Sequence, residues 1–88
     1  MAKLRRTRDG AGDAGARSEA IKWNTDGKIK EIVGRRPTIG CSILVGSVTA
    51  RTYQHQDYWL TTEVTEILEE REDYVRFKTG NSEYEWWA

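Results

Sequence analysis

The C-terminal third of the chain alternates between apolar and polar residues, and this alternation predicts a series of β-strands. Val75 and Phe77 occupy alternate positions of residues 74–79, with basic residues between and after them. A period of two is what a strand with one buried face requires. Residues 82–87 repeat the pattern after a turn at Gly80-Asn81. We therefore expect two neighbouring strands, with Val75 and Phe77 in the core.

Residues 57–68 predict the longest strand of the chain. The alternation assigns three residues to its inner face: Leu60, Thr62 and Val64. Trp59 then lies on the outer face, where its indole faces solvent or a partner. Strict alternation also places Ile67 outside, and a β-bulge near residues 65–66 would return it to the core.

The middle of the chain predicts a hairpin followed by a central strand. Asp26-Gly27 separates two short runs that carry apolar residues, 19–24 and 28–33, and Asp-Gly is a strong hairpin-turn signal. An alternative remains open for the second run, because three apolar residues have the spacing of a short helix: Ile29, Ile32 and Val33. Residues 41–45 are apolar on both faces, which is typical of a central strand.

Residues 1–17 differ in composition from the rest of the chain. They contain three glycines, several alanines, five bases and two acids, a net charge of +3, and only one sizeable apolar residue after Met1. This composition favours a disordered basic tail, with a single domain at residues 18–88. A nucleic-acid-binding arm is the alternative. Residues 57–73 oppose it, since seven acids and one base give that segment a net charge of −6.

These segments together predict an all-β fold of five or six short strands. A sheet this small buries a common face by closing or wrapping. The long bent strand and the meander after it, over about residues 40–87, resemble an SH3-like barrel in strand pattern alone. The resemblance implies a small SH3-like barrel or roll with a disordered N-terminal tail. An OB-type barrel is the second choice, and neither fold implies a function.

Composition and motifs exclude several classes of protein. The lone Cys41 forms no intramolecular disulfide, and the chain has one histidine, so neither a disulfide framework nor a zinc site is expected. The phosphate-loop, nucleophile-elbow and metalloprotease motifs are all missing from the sequence. We therefore expect no catalytic residues, no metal and no cofactor, and hence a protein that is not an enzyme. No apolar run is long enough to span a membrane, which favours a cytoplasmic location.

The aromatic residues are the feature that points to binding. The 88 residues include four Trp and four Tyr, and four of these eight form the adjacent pairs Tyr58-Trp59 and Trp86-Trp87. Adjacent residues of a strand face opposite sides, so one of each pair is expected at the surface, where aromatic side chains anchor interfaces. Together with nearby arginines, they define the predicted partner-binding set: Arg35, Arg36, Arg51, Tyr53, Tyr58, Trp59 and Trp87.

The first hypothesis for function is a non-catalytic protein-interaction module that binds a partner protein through these aromatics and flanking arginines. The second is a nucleic-acid or nucleotide binding protein, because arginine and aromatic side chains pair with phosphates and stack on bases. A third is a phage or mobile-element accessory protein that inhibits a host machine. Self-association into a homo-oligomer is a further possibility that the exposed aromatics leave open.

Overall fold

The computed structural model describes residues 1–46 and 58–88, and these form eight antiparallel strands in one sheet. The strands are β1 (Ala2–Arg6), β2 (Gly12–Gly15), β3 (Arg17–Trp23), β4 (Ile29–Gly34), β5 (Ser42–Gly46), β6 (Tyr58–Arg71), β7 (Tyr74–Thr79) and β8 (Glu83–Trp87). Their order across the sheet is β2-β1-β8-β7-β6-β5-β3-β4. The described residues contain no helix, and so none that could cross a membrane. The predicted all-β class is confirmed.

The long strand β6 joins the two halves of the sheet. Its first part pairs with β5 and its second part with β7. The register of these pairs shifts three times and so forms three bulges, one at residues 61–62, which both lie opposite Ile43, one at Thr65 and one at Leu68. Each bulge bends and twists the strand. The bulge predicted near residues 65–66 is thus present, and Ile67 packs against the core.

The predicted inner face of β6 is wrong in its first part. Leu60 is 40% exposed and Thr62 is also exposed, whereas Thr61 is buried. The bulge at residues 61–62 is the reason, because its extra residue breaks the alternation: Leu60 before it lies on the face opposite to Val64 after it. The buried Thr61 hydroxyl accepts a hydrogen bond from the Ile43 amide and donates one to the Thr62 carbonyl. Its burial therefore leaves no polar group unpaired.

The N-terminal residues are not a disordered tail, and this corrects the prediction for residues 1–17. β1 lies between β2 and β8, with Leu4 opposite Trp86, and both Ala2 and Leu4 are buried. Backbone pairing on two sides and burial of these side chains offset the loss of chain entropy. A Cβ added at Gly12 would overlap the Leu4 carbonyl oxygen, so this glycine permits the close approach of β2.

The other strand predictions agree with the structure. β3 and β4 form the expected hairpin, in which Gly27 has a φ of 84°, and residues 28–33 are not helical. All five residues of β5 are buried. Val75 and Phe77 lie in the core, and the Phe77 ring stacks on Tyr84 with 5.5 Å between ring centroids.

The sheet curls without closing. β1 and β2 pack across the core against β5, and the core cluster lies between them. The described residues form eight strands rather than the predicted five or six, because β1 and β2 lie where a disordered tail was predicted. β2 and β4 are therefore the edge strands of the described sheet, and the SH3-like barrel is not confirmed.

Candidate interaction surfaces

The edge strand β4 is the most exposed strand of the sheet. It is hydrogen-bonded to β3 on one side and, among residues 1–46 and 58–88, to no strand on the other, and all six of its residues are exposed. Three of them are large and apolar: Ile29, Ile32 and Val33. We call residues Ile29–Gly34 the β4 edge. Isolated apolar residues are common on protein surfaces. Three of them on one edge strand form a template with which another chain can pair.

The β4 edge continues into an apolar patch on the outer face of β3. Ile32 lies directly opposite Ile21, and Ile29 lies opposite Trp23. Residues directly opposite each other share a face of the sheet. Ile21 is buried without belonging to the core cluster, because it lies on the outer face. The Trp23 Nε1 donates a 2.9 Å hydrogen bond to Ser42 Oγ, which holds the indole across this face.

The charge around the β4 edge is positive and unpaired. Residues 28–35 carry three bases and one acid, a net charge of +2. Arginines elsewhere form ion pairs, as Arg17 does with Glu19, whereas Lys28 and Lys30 form none within residues 1–46 and 58–88. These ammonium groups are available to carboxylates of a partner.

A second surface surrounds Trp87 on the outer face of β8. The Lys3 Nζ lies 5.4 Å and the Arg5 Cζ 5.7 Å from the centre of the Trp87 ring. The Tyr74 ring lies 5.5 Å away at a tilt of 58°. This arrangement of a half-buried indole beneath two cations is a cation–π contact. We call Lys3, Arg5, Tyr74 and Trp87 the Trp87 surface.

The ionisable groups of the Trp87 surface bind one another. Glu85 accepts hydrogen bonds from the Arg5 guanidinium at 2.7 Å and from the Tyr74 hydroxyl at 2.8 Å. The Arg5 bond is the main reason that the pKa of Glu85 lies below its ordinary value. Burial, and then the bond to Glu85, raise the pKa of Tyr74. Only Lys3 among these charges has no ion pair in the described part of the chain.

A shallow depression of about 300 Å³ adjoins this surface. Lys3 and Arg5 line it together with residues of the first hairpin, which include Gly12, Asp13 and Ala14. Gly12 and Ala14 lie opposite Arg5 and Lys3 in the β1–β2 pairing. Because these residues have little or no side chain, the two cations border an open concavity.

Trp59 was predicted to face a partner, and the structure places it against the core. The ring is half-buried next to the core cluster, opposite the buried Val45, and the Arg6 Cζ lies 5.0 Å from its centre. Its Nε1 is buried and has no hydrogen-bond partner in the described residues. The neighbouring Tyr58 is half-buried opposite Gly46. A binding role for Trp59 and Tyr58 stays a prediction.

Two arginines of the predicted set, Arg35 and Arg36, bind backbone carbonyls of different segments. Arg36 donates hydrogen bonds to the backbone carbonyls of Arg71 and Glu72, and its Cζ lies 5.7 Å from the centre of the Trp86 ring. Arg35 donates to the Ala16 carbonyl at 3.2 Å. Arg51 and Tyr53 lie outside the described residues. The structure therefore does not bring Arg35, Arg36, Trp59 and Trp87 together as one surface.

The sequence reasoning missed the β4 edge because it weighed residues 28–33 only as strand or helix. The sequence feature that could have indicated an exposed apolar strand is the pair Ile32-Val33, in a strand that follows a tight turn. Neighbouring apolar residues of one strand point to both faces, so only a central strand buries both.

No protein-family model, curated protein or solved structure matches this chain significantly. The assignment of a function therefore rests on the surfaces themselves.

Proposed function

We propose that this protein is a non-catalytic interaction module of the cytoplasm, and that it binds a partner protein through the β4 edge. The observation that carries the proposal is the exposure of Ile29, Ile32 and Val33 on a strand whose second side pairs with no other described strand. A phage or mobile-element protein that inhibits a host machine is one setting in which such a module would act.

Physical chemistry supports this use of the edge. Natural sheets protect their edges with charges, bulges, prolines or a covering segment. The β4 edge has two bulges, at Lys30 and Val33, yet it leaves its isoleucines in water. Burying apolar surface yields about 25 cal/mol per Å². A partner that covers this strand would recover that free energy, which folding of the chain alone does not.

The experiment compares two isoleucines that are similarly exposed. A photo-crosslinking amino acid at position 32 of the full chain, expressed in its native cells, identifies the partner, which is then purified. Its affinity is measured for the Ile32→Lys protein and for a matched control, Ile39→Lys, because Ile39 is also exposed but lies outside the strand. We expect Ile32→Lys to weaken binding by about 2 kcal/mol or more. Equal affinities for the two variants would contradict the proposal.

A second candidate function is binding of a small anionic ligand, such as a nucleotide, at the Trp87 surface. The position of Lys3 and Arg5 at the Trp87 ring, beside an open depression, favours it. An indole stacks on a base and cations pair with phosphate. Titration with ATP, GTP and inorganic phosphate would then change Trp fluorescence, and the affinity would fall steeply with salt and in Lys3→Gln. This candidate would be excluded if the ligands did not change the part of the Trp fluorescence that the Trp87→Phe protein lacks.

A further inference from the structure

We infer that the partner reaches the β4 edge as an extended segment in which apolar and acidic residues alternate, and that this segment adds a ninth strand to the sheet. The inference rests on the proposed function and names the chemistry of the partner. Three features of the β4 edge support it: the free backbone side, the placement of the isoleucines and the unpaired lysines.

The backbone of β4 offers the first contact. Its ladder partner is β3 alone, so the outward amide and carbonyl groups of Ile29–Gly34 have no strand partner in the described sheet. Backbone groups of this kind are strong donors and acceptors that an added strand can satisfy. An extended segment pairs with them through its own main chain, which a folded convex surface cannot do.

The isoleucines set the apolar positions of the segment. The bulge at Lys30 brings Ile29 and Ile32 to the same outer face, opposite Trp23 and Ile21. The Cβ atoms of an added strand would lie about 4.5–5.5 Å from the Cβ atoms of the β4 residues directly opposite. Apolar residues there would extend the patch that already covers Ile21.

The lysines set the charge of the segment. Lys28 and Lys30 have no ion pair in the described residues, and residues 28–35 carry a net charge of +2. Residues 57–73 carry a net charge of −6. An acidic segment is therefore attracted to the β4 edge and repelled by the acidic residues 57–73.

The same charges disfavour a second copy of this chain as the occupant. A two-fold axis would place the β4 edge of one protomer against the β4 edge of the other. Both edges carry Lys28, Lys30 and the same net positive charge, so the like charges face each other. A foreign acidic strand meets no such repulsion.

The test selects binders from a random 12-residue peptide library on the immobilised full chain. Three forms are used: the unchanged chain, Lys28→Glu/Lys30→Glu, and a control with matched charge change, Arg8→Glu/Lys78→Glu, whose residues are also exposed. We expect the unchanged chain and the control to enrich peptides that alternate apolar and acidic residues. The β4 variant should bind those peptides at least about tenfold more weakly.

Backbone methylation then tests the mode of binding. The best peptide is synthesised with N-methyl groups on alternate residues, in the two possible phases. A strand uses the amides of one phase to pair with β4, and the other phase points away. One methylated peptide should therefore lose at least about tenfold in affinity, and the other should bind as the parent does.

The possible results separate this inference from the function on which it rests. Two results would overturn the added acidic strand but leave the β4 edge as an interaction surface. In the first, the peptides bind Ile32→Lys more weakly but are basic. In the second, they bind Ile32→Lys more weakly but tolerate methylation in both phases. If sedimentation shows that the parent protein is a dimer and that the Ile32→Lys protein is a monomer, the β4 edge binds a second copy of the chain and the inference is overturned. Peptides unaffected by Ile32→Lys overturn both the inference and the proposed function.

Discussion

Ile21 and Ile32 lie directly opposite each other in the β3–β4 hairpin, yet Ile21 is 2% exposed and Ile32 is 51% exposed. The difference arises because β3 lies between β4 and β5, whereas β4 has a neighbour on one side only among the described strands. The same apolar side chain thus stabilises the fold on one strand and remains available to a partner on the next.

This pair yields a first prediction. Ile21→Ala removes buried contacts and should lower the free energy of unfolding by about 2–4 kcal/mol. Ile32→Ala should lower it by less than about 1 kcal/mol, since half of the side chain already contacts water. Chemical denaturation of both variants measures the difference. Equal losses would mean that Ile32 is buried in solution, and the β4 edge would then not be a free surface.

A second prediction concerns the N-terminal strands. Leu4→Ala should cost about 2–5 kcal/mol, because Leu4 is buried opposite Trp86. Deletion of residues 1–17 should abolish cooperative thermal unfolding, since it exposes one side of β8. Arg8→Ala is the control, and the exposed position of Arg8 predicts a negligible effect. A truncated protein with an unchanged midpoint would show that β1 is not part of the core.

The N-terminal segment also shows what the sequence allowed us to predict. Strong alternation with large side chains, as at Val75 and Phe77, identified β7 and β8 and their core faces. β1 also alternates between buried and exposed residues, and its inner residues are Ala2 and Leu4. These two side chains carry too little apolar surface for the alternation to be recognised in the sequence. The glycines beside it resembled a disordered segment, although Gly12 is required for packing.

The site was harder to predict than the strands. On β6, bulges were the main reason that the buried face was predicted wrongly. Each bulge reverses the alternation of the two faces, and no residue type marks residues 61–62 as the place where it occurs. The free side of β4 depends on the order of strands across the sheet, which alternation within one strand does not specify. Aromatic content directed attention to Trp59, which the bulged strand turns toward the core.

A third prediction compares the half-buried Trp59 with the buried Trp86. Trp59→Ala should cost about 2–4 kcal/mol in stability, because the ring packs against the core. Trp59→Phe should be milder than Trp86→Phe by about 1 kcal/mol or more. The Trp86 Nε1 donates a 3.0 Å hydrogen bond to Ser18 Oγ, whereas the Trp59 Nε1 has no partner in the described residues. Urea denaturation of the three variants checks the order, and a larger cost for Trp59→Phe than for Trp86→Phe would contradict it.

A fourth prediction concerns the pH dependence of stability. The Arg5 guanidinium holds the pKa of Glu85 below its ordinary value in the folded state. A lowered pKa in the folded state stabilises the protein above the unfolded pKa, and this stabilisation is lost as the pH falls through the folded pKa. Glu85→Gln should therefore be less stable than the parent by about 0.5–1 kcal/mol near pH 7, because Arg5 is half exposed.

That difference should disappear in strongly acidic solution, where Glu85 is protonated in both the folded and the unfolded state. Denaturation curves of the parent and Glu85→Gln between about pH 7 and pH 2 measure it. A difference that stays constant across this range would show that the loss comes from packing rather than from the charge of Glu85.

Hydrogen–deuterium exchange of the full chain with and without its purified partner tests the central claim most directly, because it reports the backbone amides that the partner covers. We predict that the partner slows exchange in residues 29–34, and that the Ile32→Lys protein does not show this protection at the same partner concentration. Protection confined to the Trp87 surface, with residues 29–34 exchanging as in the free protein, would contradict the assignment of the β4 edge as the binding site.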